Sequence, residues 1–310
     1  MASCRQCMDA SGHRTCRSCG GGSPRARSRT GTHETHLVGC IQPGQRGRPF
    51  QSGDCWMITR APSITTSTGI IWRRELIRFC RQPGRIVAAI GTSVLIWLLL
   101  GSGFANSLEP QVAPDESISF SAWLLPGMMT LIAVFSSIFS SLSTIEDRQT
   151  GWLQAVLVSP APRSSIALGR SLGGGTVAFL QAGVMLAAIP LIGLSTGFEG
   201  ILLALFSLAM TCLSMSAIGL AFAWRCQSAS SFHSVMNLVF MPMWLLSGSI
   251  FPIDGSSTWL SVVAWCNPLT WCTTAMRTSL TGSPDWSMIG LSAAVSIVTI
   301  GIATLVISRR

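Results

Sequence analysis

The chain of 310 residues contains no lysine and no tyrosine, and charged side chains make up only 11% of it. A water-facing globular protein needs about a quarter, so the scarcity of charge excludes a soluble enzyme for the bulk of the chain. Without lysine there is no standard G-x-x-x-x-G-K-S/T loop, whose lysine reaches the β- and γ-phosphates of a nucleotide. No H-E-x-x-H zinc-protease motif occurs either. The long apolar stretches lack ionised groups, which fits neither an ion-coupled carrier nor a redox pump.

What is present is apolar: 48% of the residues are hydrophobic, and the mean hydropathy is +0.50. Eleven of the 33 charged residues fall in the first 56 positions. Residues 1–56 are rich in Gly, Ser and Arg and have too little apolar surface to offset their ordering entropy. They read as a disordered tail or as a wrongly assigned start, with translation beginning at Met57. Six of the eleven cysteines lie there, and the pairs Cys4-x-x-Cys7 and Cys16-x-x-Cys19 have thiolate–zinc spacing, with His13, His33 and His36 nearby. Only eight residues separate the pairs, and no strand or helix is expected to fix four sulfurs, so a zinc knuckle is the lesser reading.

Residues 57–85 read as a cytoplasmic segment carrying an amphipathic helix. Trp72, Leu76 and Phe79 recur at i, i+4 and i+7, with Arg73, Arg74 and Arg78 mostly elsewhere around the helix. Such a helix is expected in the headgroup plane, its arginines toward the anionic cytoplasmic leaflet. Pro83-Gly84 then breaks it.

Residues 86–310 read as a transmembrane domain. A helix needs about 20 apolar residues to cross about 30 Å of hydrocarbon. Six uncharged stretches are long enough, and place helices near 86–105, 121–143, 172–194, 200–223, 230–251 and 287–307. With six crossings and the N-terminus inside, twelve arginines after Met57 lie on the cytoplasmic side and only Arg277 lies outside. That is a strong positive-inside bias. Treating 255–276 as a seventh crossing would export Arg309 and Arg310, so it reads as a re-entrant hairpin before the sixth crossing, broken at Asn267-Pro268. The fold class is therefore an all-α polytopic membrane protein with both termini cytoplasmic.

The largest internal loop joins crossings two and three. It carries Glu146, Asp147, Arg148 and Gly151, then a short interfacial helix over 150–158 closed by Pro160 and Pro162. A plain connector would be much shorter, so this loop is suited to press on a soluble partner. Glu146 is expected to pair with an arginine of the N-terminal helix or of the partner, Asp147 to cap the short helix, and Gly151 to permit close contact. Gly173-Gly174-Gly175 reads as a close helix-packing contact, and His233 as an interfacial hydrogen-bonding group. The basic excess reads as topology information, and no nucleic-acid partner is expected.

From about Ile70 to Arg310 the chain resembles the ABC-2 permease family, the exporter type that includes subunits of daunorubicin-type drug efflux and of nodulation-factor and polysaccharide export. The matching pieces are Trp72-Arg73-Arg74-Glu75-Leu76, Pro126-Gly127, Glu146 through Gly151 to Ser159-Pro160, and Leu168-Gly169-Arg170. Beyond these come Leu246 through Phe251-Pro252 and Asn267-Pro268 followed by Arg277. The resemblance implies a separate ABC ATP-binding subunit that carries ATP and Mg, a second permease copy or paralogue, and a lipid environment. No cofactor on this chain is implied. It further implies that Arg73, Arg74, Glu75, Glu146, Asp147, Arg148, Gly151 and Pro160 couple to the ATPase, and that Pro252, Asn267, Pro268 and Arg277 belong to a re-entrant or gate region. Export of a hydrophobic or amphipathic compound across a bacterial inner membrane is the expectation. Export of a polysaccharide or glycolipid, or a non-transporting assembly or sensor role, are the alternatives.

Overall fold

A computed structural model describes residues 63–103, 119–159, 161–193, 196–253 and 257–309. The cysteine pairs of the N-terminal segment, Met57 and Pro160 lie outside the described residues. Among those described the structure is entirely helical: α1 Ile64–Cys80, α2 Pro83–Gly103, α3 Phe120–Gln149, α4 Trp152–Val158 and α5 Arg163–Gly183. A 3-10 segment, Val184–Ala188, and a single helical turn, Ile189–Ile192, extend α5. Then follow α6 Phe198–Arg225, α7 Ala229–Leu245, α8 Thr258–Trp265, α9 Pro268–Leu280 and α10 Trp286–Ser308.

Five of these are long and apolar enough to cross a membrane: α2, α3, α5 with its extension to Ala188, α6 and α10. The chain is thus an all-α polytopic membrane protein. The helix expected over 230–251 is shorter, ending at Leu245 after 17 residues. Its rise is about 26 Å, because the backbone turns at Gly248 in the left-handed region (φ 72°) and folds back. The expected re-entrant stretch consists of two helices, α8 and α9, with Asn267 capping α9 and Pro268 at its first position.

α3 is the central element. In its most apolar window 89% is buried by the protein, against 17% for α2, which leaves α2 peripheral. Leu124, Leu125, Met128, Met129, Leu131 and Ile132 fill the core around it. α3 packs on α2, α5 and α6, and α6 in turn packs on α9 and α10. The triple glycine lets three helices approach α5 at once. A Cβ at Gly173 would stand 2.7 Å from the Glu75 Cβ, one at Gly174 would strike the hydroxyls of Ser140 and Ser216, and one at Gly175 would stand 2.7 Å from Leu213.

The orientation of α1 differs from the sequence expectation. Its buried face is Ser67, Ile71, Glu75 and Phe79, while Trp72 is 37% exposed. The face is turned by one residue because α1 lies against α5 as well as any membrane surface. A Cβ at Gly169 would stand 2.8 Å from the Ile71 Cβ, so only glycine at 169 and 173 admits α1 this closely. Arg74 and Arg78 consequently turn inward and are half-buried, whereas Arg73 and Arg81 remain exposed.

Candidate functional site

The C-terminal turn of α3 brings Glu146 and Asp147 beside α1 and α5. α3 starts at Ser119, whose hydroxyl accepts from the Ala122 N–H. It runs 30 residues, past the apolar core, before Thr150 ends it. Gly151, at φ 78°, then reverses the chain into α4. The glycine suits that positive φ, and among the described residues nothing lies within 4 Å of where its Cβ would be.

Asp147 does not cap α4. It lies inside α3, its side chain 4% exposed, and collects three guanidinium groups. Arg74 donates through both terminal nitrogens, at 2.9 and 3.0 Å to the two carboxylate oxygens. Arg78 donates to Oδ1 at 2.6 Å, and Arg170 donates to Oδ2. Arg170, itself 3% exposed, donates also to Thr144 Oγ1 at 2.9 Å and lies 3.4 Å from Glu75 Oε1. Ser143 Oγ donates to the other Glu75 oxygen at 3.4 Å.

Glu146 forms the outer layer of the same cluster. It accepts from Arg78 at 2.9 Å and from Arg85, at the start of α2, at 2.6 Å, and its side chain is 34% exposed. Four guanidinium groups thus meet three carboxylates, a net charge of +1 (4 − 3). Trp152 of α4 covers the cluster, its ring 3.4 Å from the Arg74 guanidinium carbon and 5.4 Å from that of Arg170. A buried pair of this kind adds little net stability, but removing one partner strands charge at a cost of about 3–5 kcal/mol. The cluster therefore fixes the register of α1, α3 and α5 and resists partial opening.

The residues expected to couple to a partner do not all join it. Arg74, Glu75, Glu146 and Asp147 do. Arg73 is exposed and has no carboxylate partner among the described residues. Arg148 turns to the end of α6, donating to the carbonyls of Trp224 and Cys226 at 3.1 and 2.9 Å and standing over the Trp224 ring. Those carbonyls sit at a helix C-terminus, where a cation is favoured. Three members were not singled out from sequence: Arg78, Arg85 and Arg170. Arg85 entered only as a mark of topology, Arg78 as part of the polar side of the amphipathic helix, and Arg170 as part of the piece Leu168-Gly169-Arg170. The available signal for Arg170 was its place between Gly169 and Gly173, the positions where α5 admits α1.

A second cluster sits at the other end of α3. Arg277 of α9 donates to the Gly248 carbonyl at 2.9 Å and stands 3.9 Å over the Trp123 ring. Asn267 donates to the Met243 carbonyl at 2.5 Å and accepts from the Leu269 N–H at 3.1 Å. Trp244 Nε1 donates to the Gly127 carbonyl at 3.1 Å, and a Cβ at Gly127 would stand 2.8 Å from the Ser249 Cα. Pro126-Gly127 therefore receives the turn after α7, while Pro252 follows that turn, half-buried. His233 is exposed. Among the described residues no three His, Cys, Asp or Glu side chains are grouped to hold a metal ion.

Comparison with known proteins places these features in one context. A family model described as ABC-2 type transporter matches residues 66–281, from α1 through the end of α9. Nodulation protein J of Rhizobium leguminosarum bv. trifolii is 26% identical over 271 residues, covering 84% of this chain and 98% of that protein. The putative transport permease ycf38 of Cyanophora paradoxa is 22% identical over 210 residues, covering 67% of this chain and 72% of the relative. The probable multidrug ABC transporter permease YbhR of Escherichia coli (strain K12) is 28% identical over 157 residues, half of this chain and 42% of the relative's length.

Proposed function

The chain belongs to the ABC-2 type transporter family and is a non-catalytic membrane permease subunit of an ABC-type transport system; from that we propose that it is the six-crossing subunit of an ATP-driven exporter. Its cargo is a hydrophobic or amphipathic compound leaving the cytoplasm, a reading supported by the likeness to a permease named as multidrug. α7 is the remaining crossing, α1 lies at the cytoplasmic interface of a bacterial inner membrane, α8 and α9 form the re-entrant hairpin, and both termini are cytoplasmic. A separate ABC ATPase binds ATP and Mg, and a second permease, a copy or a paralogue, completes the membrane part.

The observation that carries the mechanism is the ion cluster on Asp147, which joins α1 to α3 and α5. Closure of the ATPases pushes on α1 and on α4, both of which abut the cluster. Because Arg78 is shared between Glu146 and Asp147, it can move along the two carboxylates without being stranded. α3 is a continuous helix of 30 residues and carries that motion to its outer end, where Gly127 and Trp123 meet the turn held by Arg277. Displacement there opens the path outward.

The test is transport in inside-out vesicles carrying this chain together with its cognate ATPase. ATP-dependent accumulation of an amphipathic dye supports export. ATP-dependent uptake of a labelled glycolipid but of no dye replaces the cargo class. No ATP-dependent movement of either, with an assembled complex, favours an assembly or sensor role.

A further inference from the structure

The outward face of α1 borders an open groove of about 680 Å³ that the ion cluster does not fill. Four guanidinium groups line it, those of Arg73, Arg74, Arg78 and Arg81, together with the side chains of Ile70 and Ile77. Asp147 also reaches the groove, but it already accepts from three arginines. Arg73 and Arg81 are exposed and meet no carboxylate among the described residues. Ile70 and Ile77 are 65% and 45% exposed, two turns apart on the same side of α1 as Arg73, Arg74 and Arg81. Arg81 stands two residues before Pro83, where the first crossing begins.

Cations in such excess demand an anion, and the two isoleucines demand an apolar companion to it. We propose that this groove binds an acidic glycerophospholipid of the cytoplasmic leaflet. Its phosphate is held by Arg73 and Arg81 with help from the inward pair, and an acyl chain lies along Ile70 and Ile77. The assignment rests on the cytoplasmic, membrane-level position of α1 given above. A free phosphate would leave the isoleucines uncovered; an acidic surface of the ATPase that presses on α1 in the proposed mechanism is the rival occupant, against which the exposed isoleucines beside the start of the first crossing favour a lipid. Since Arg74 and Arg78 face both the groove and Asp147, a bound lipid also steadies the orientation of α1 against α3.

The experiment uses the purified full chain in neutral detergent micelles, without any ATPase, so that its outcome is independent of transport. Retention of phosphatidylglycerol and of phosphatidylcholine is compared by native mass spectrometry. The native chain should retain phosphatidylglycerol at least about tenfold more strongly, and R73Q/R81Q should lose that preference, since each arginine near an anionic lipid surface contributes appreciably. R73K/R81K should keep most of it. R163Q/R309Q, which removes two other cytoplasmic arginines, should leave it intact. Equal retention of both lipids, or equal loss in R73Q/R81Q and R163Q/R309Q, overturns the site. Displacement of the lipid by millimolar inorganic phosphate alone overturns the lipid assignment in favour of a free anion, and tighter retention of a hexaglutamate peptide than of phosphatidylglycerol overturns it in favour of a protein surface.

Discussion

Arg74 grips both carboxylate oxygens of Asp147 across 73 positions of sequence, and in doing so locks the N-terminal helix to the end of the most buried crossing. Fork-to-carboxylate geometry is directional as well as strong, so the pair fixes rotation of α1 as well as its position. Arg170 completes the fixation from α5.

Asp147→Asn should therefore be severely destabilising. It leaves Arg74, Arg78 and Arg170 facing a neutral amide, at a cost of about 3–5 kcal/mol. Glu146→Gln, at a side chain one-third exposed, should cost about 1 kcal/mol or less. Thermal unfolding of the two variants in matched micelles checks the ranking. Adding Arg170→Gln to the Asp147 variant should recover part of the loss, a coupling that appears as non-additivity of about 1 kcal/mol or more.

The seat of α1 on α5 predicts a contrast between glycines. Gly173→Ala places a methyl group 2.7 Å from the Glu75 Cβ and should destabilise by about 1–3 kcal/mol through overpacking. Gly91→Ala in α2, with nothing within 4 Å, should be neutral or stabilise by about 0.5–1 kcal/mol. Unfolding midpoints of the two single variants read the difference.

Much of this was legible in the sequence and some was not. Uncharged length placed α2, α6 and α10 and the start of α3 to within a few residues, because hydrocarbon thickness sets a floor on apolar run length. Periodicity found α1 but gave it the wrong face: Glu75 looks solvent-facing by type, and only the pocket made by Gly169, Gly173 and Arg170 turns it inward. Glu146 was expected to meet an arginine of the N-terminal helix or of the partner, and within this chain it meets Arg78. Asp147 was expected at a helix cap, because nothing in the linear pattern reveals that α3 continues two turns beyond 143. Arg78 and Arg170 were visible in the N-terminal helix and in the Leu168-Gly169-Arg170 piece, but not as its partners, since pairing across 69 and 23 positions is a property of the packed helices.

At the opposite end of α3, Arg277→Gln removes the donor to Gly248 and the cation over Trp123. A charge-assisted hydrogen bond contributes about 1.5–3 kcal/mol, so amide hydrogen exchange across residues 246–253 should quicken about tenfold or more in nanodiscs. Exchange in α6 should not change. An unchanged rate at 246–253 would show that the turn is held by Gly127 and Trp244 alone.

The proposed orientation predicts opposite labelling at two exposed serines. In a background lacking every native cysteine except the buried Cys212 and Cys272, Ser283→Cys between α9 and α10 should react with an impermeant maleimide added to intact cells. Ser159→Cys, after α4, should react only once the membrane is opened. The reverse pattern would invert the topology.

The central claim is that the cluster transmits motion from a separate ATPase, and Glu146 is the member whose loss least disturbs the fold. The decisive measurement is ATP-driven export by Glu146→Gln beside the partner's ATPase activity, in proteoliposomes with equal permease content. Coupling free energies of about 1–3 kcal/mol correspond to roughly 5- to 150-fold effects. Export should fall within that range while assembly and basal ATP hydrolysis persist; export and substrate-stimulated hydrolysis both equal to those of the native chain would contradict the account.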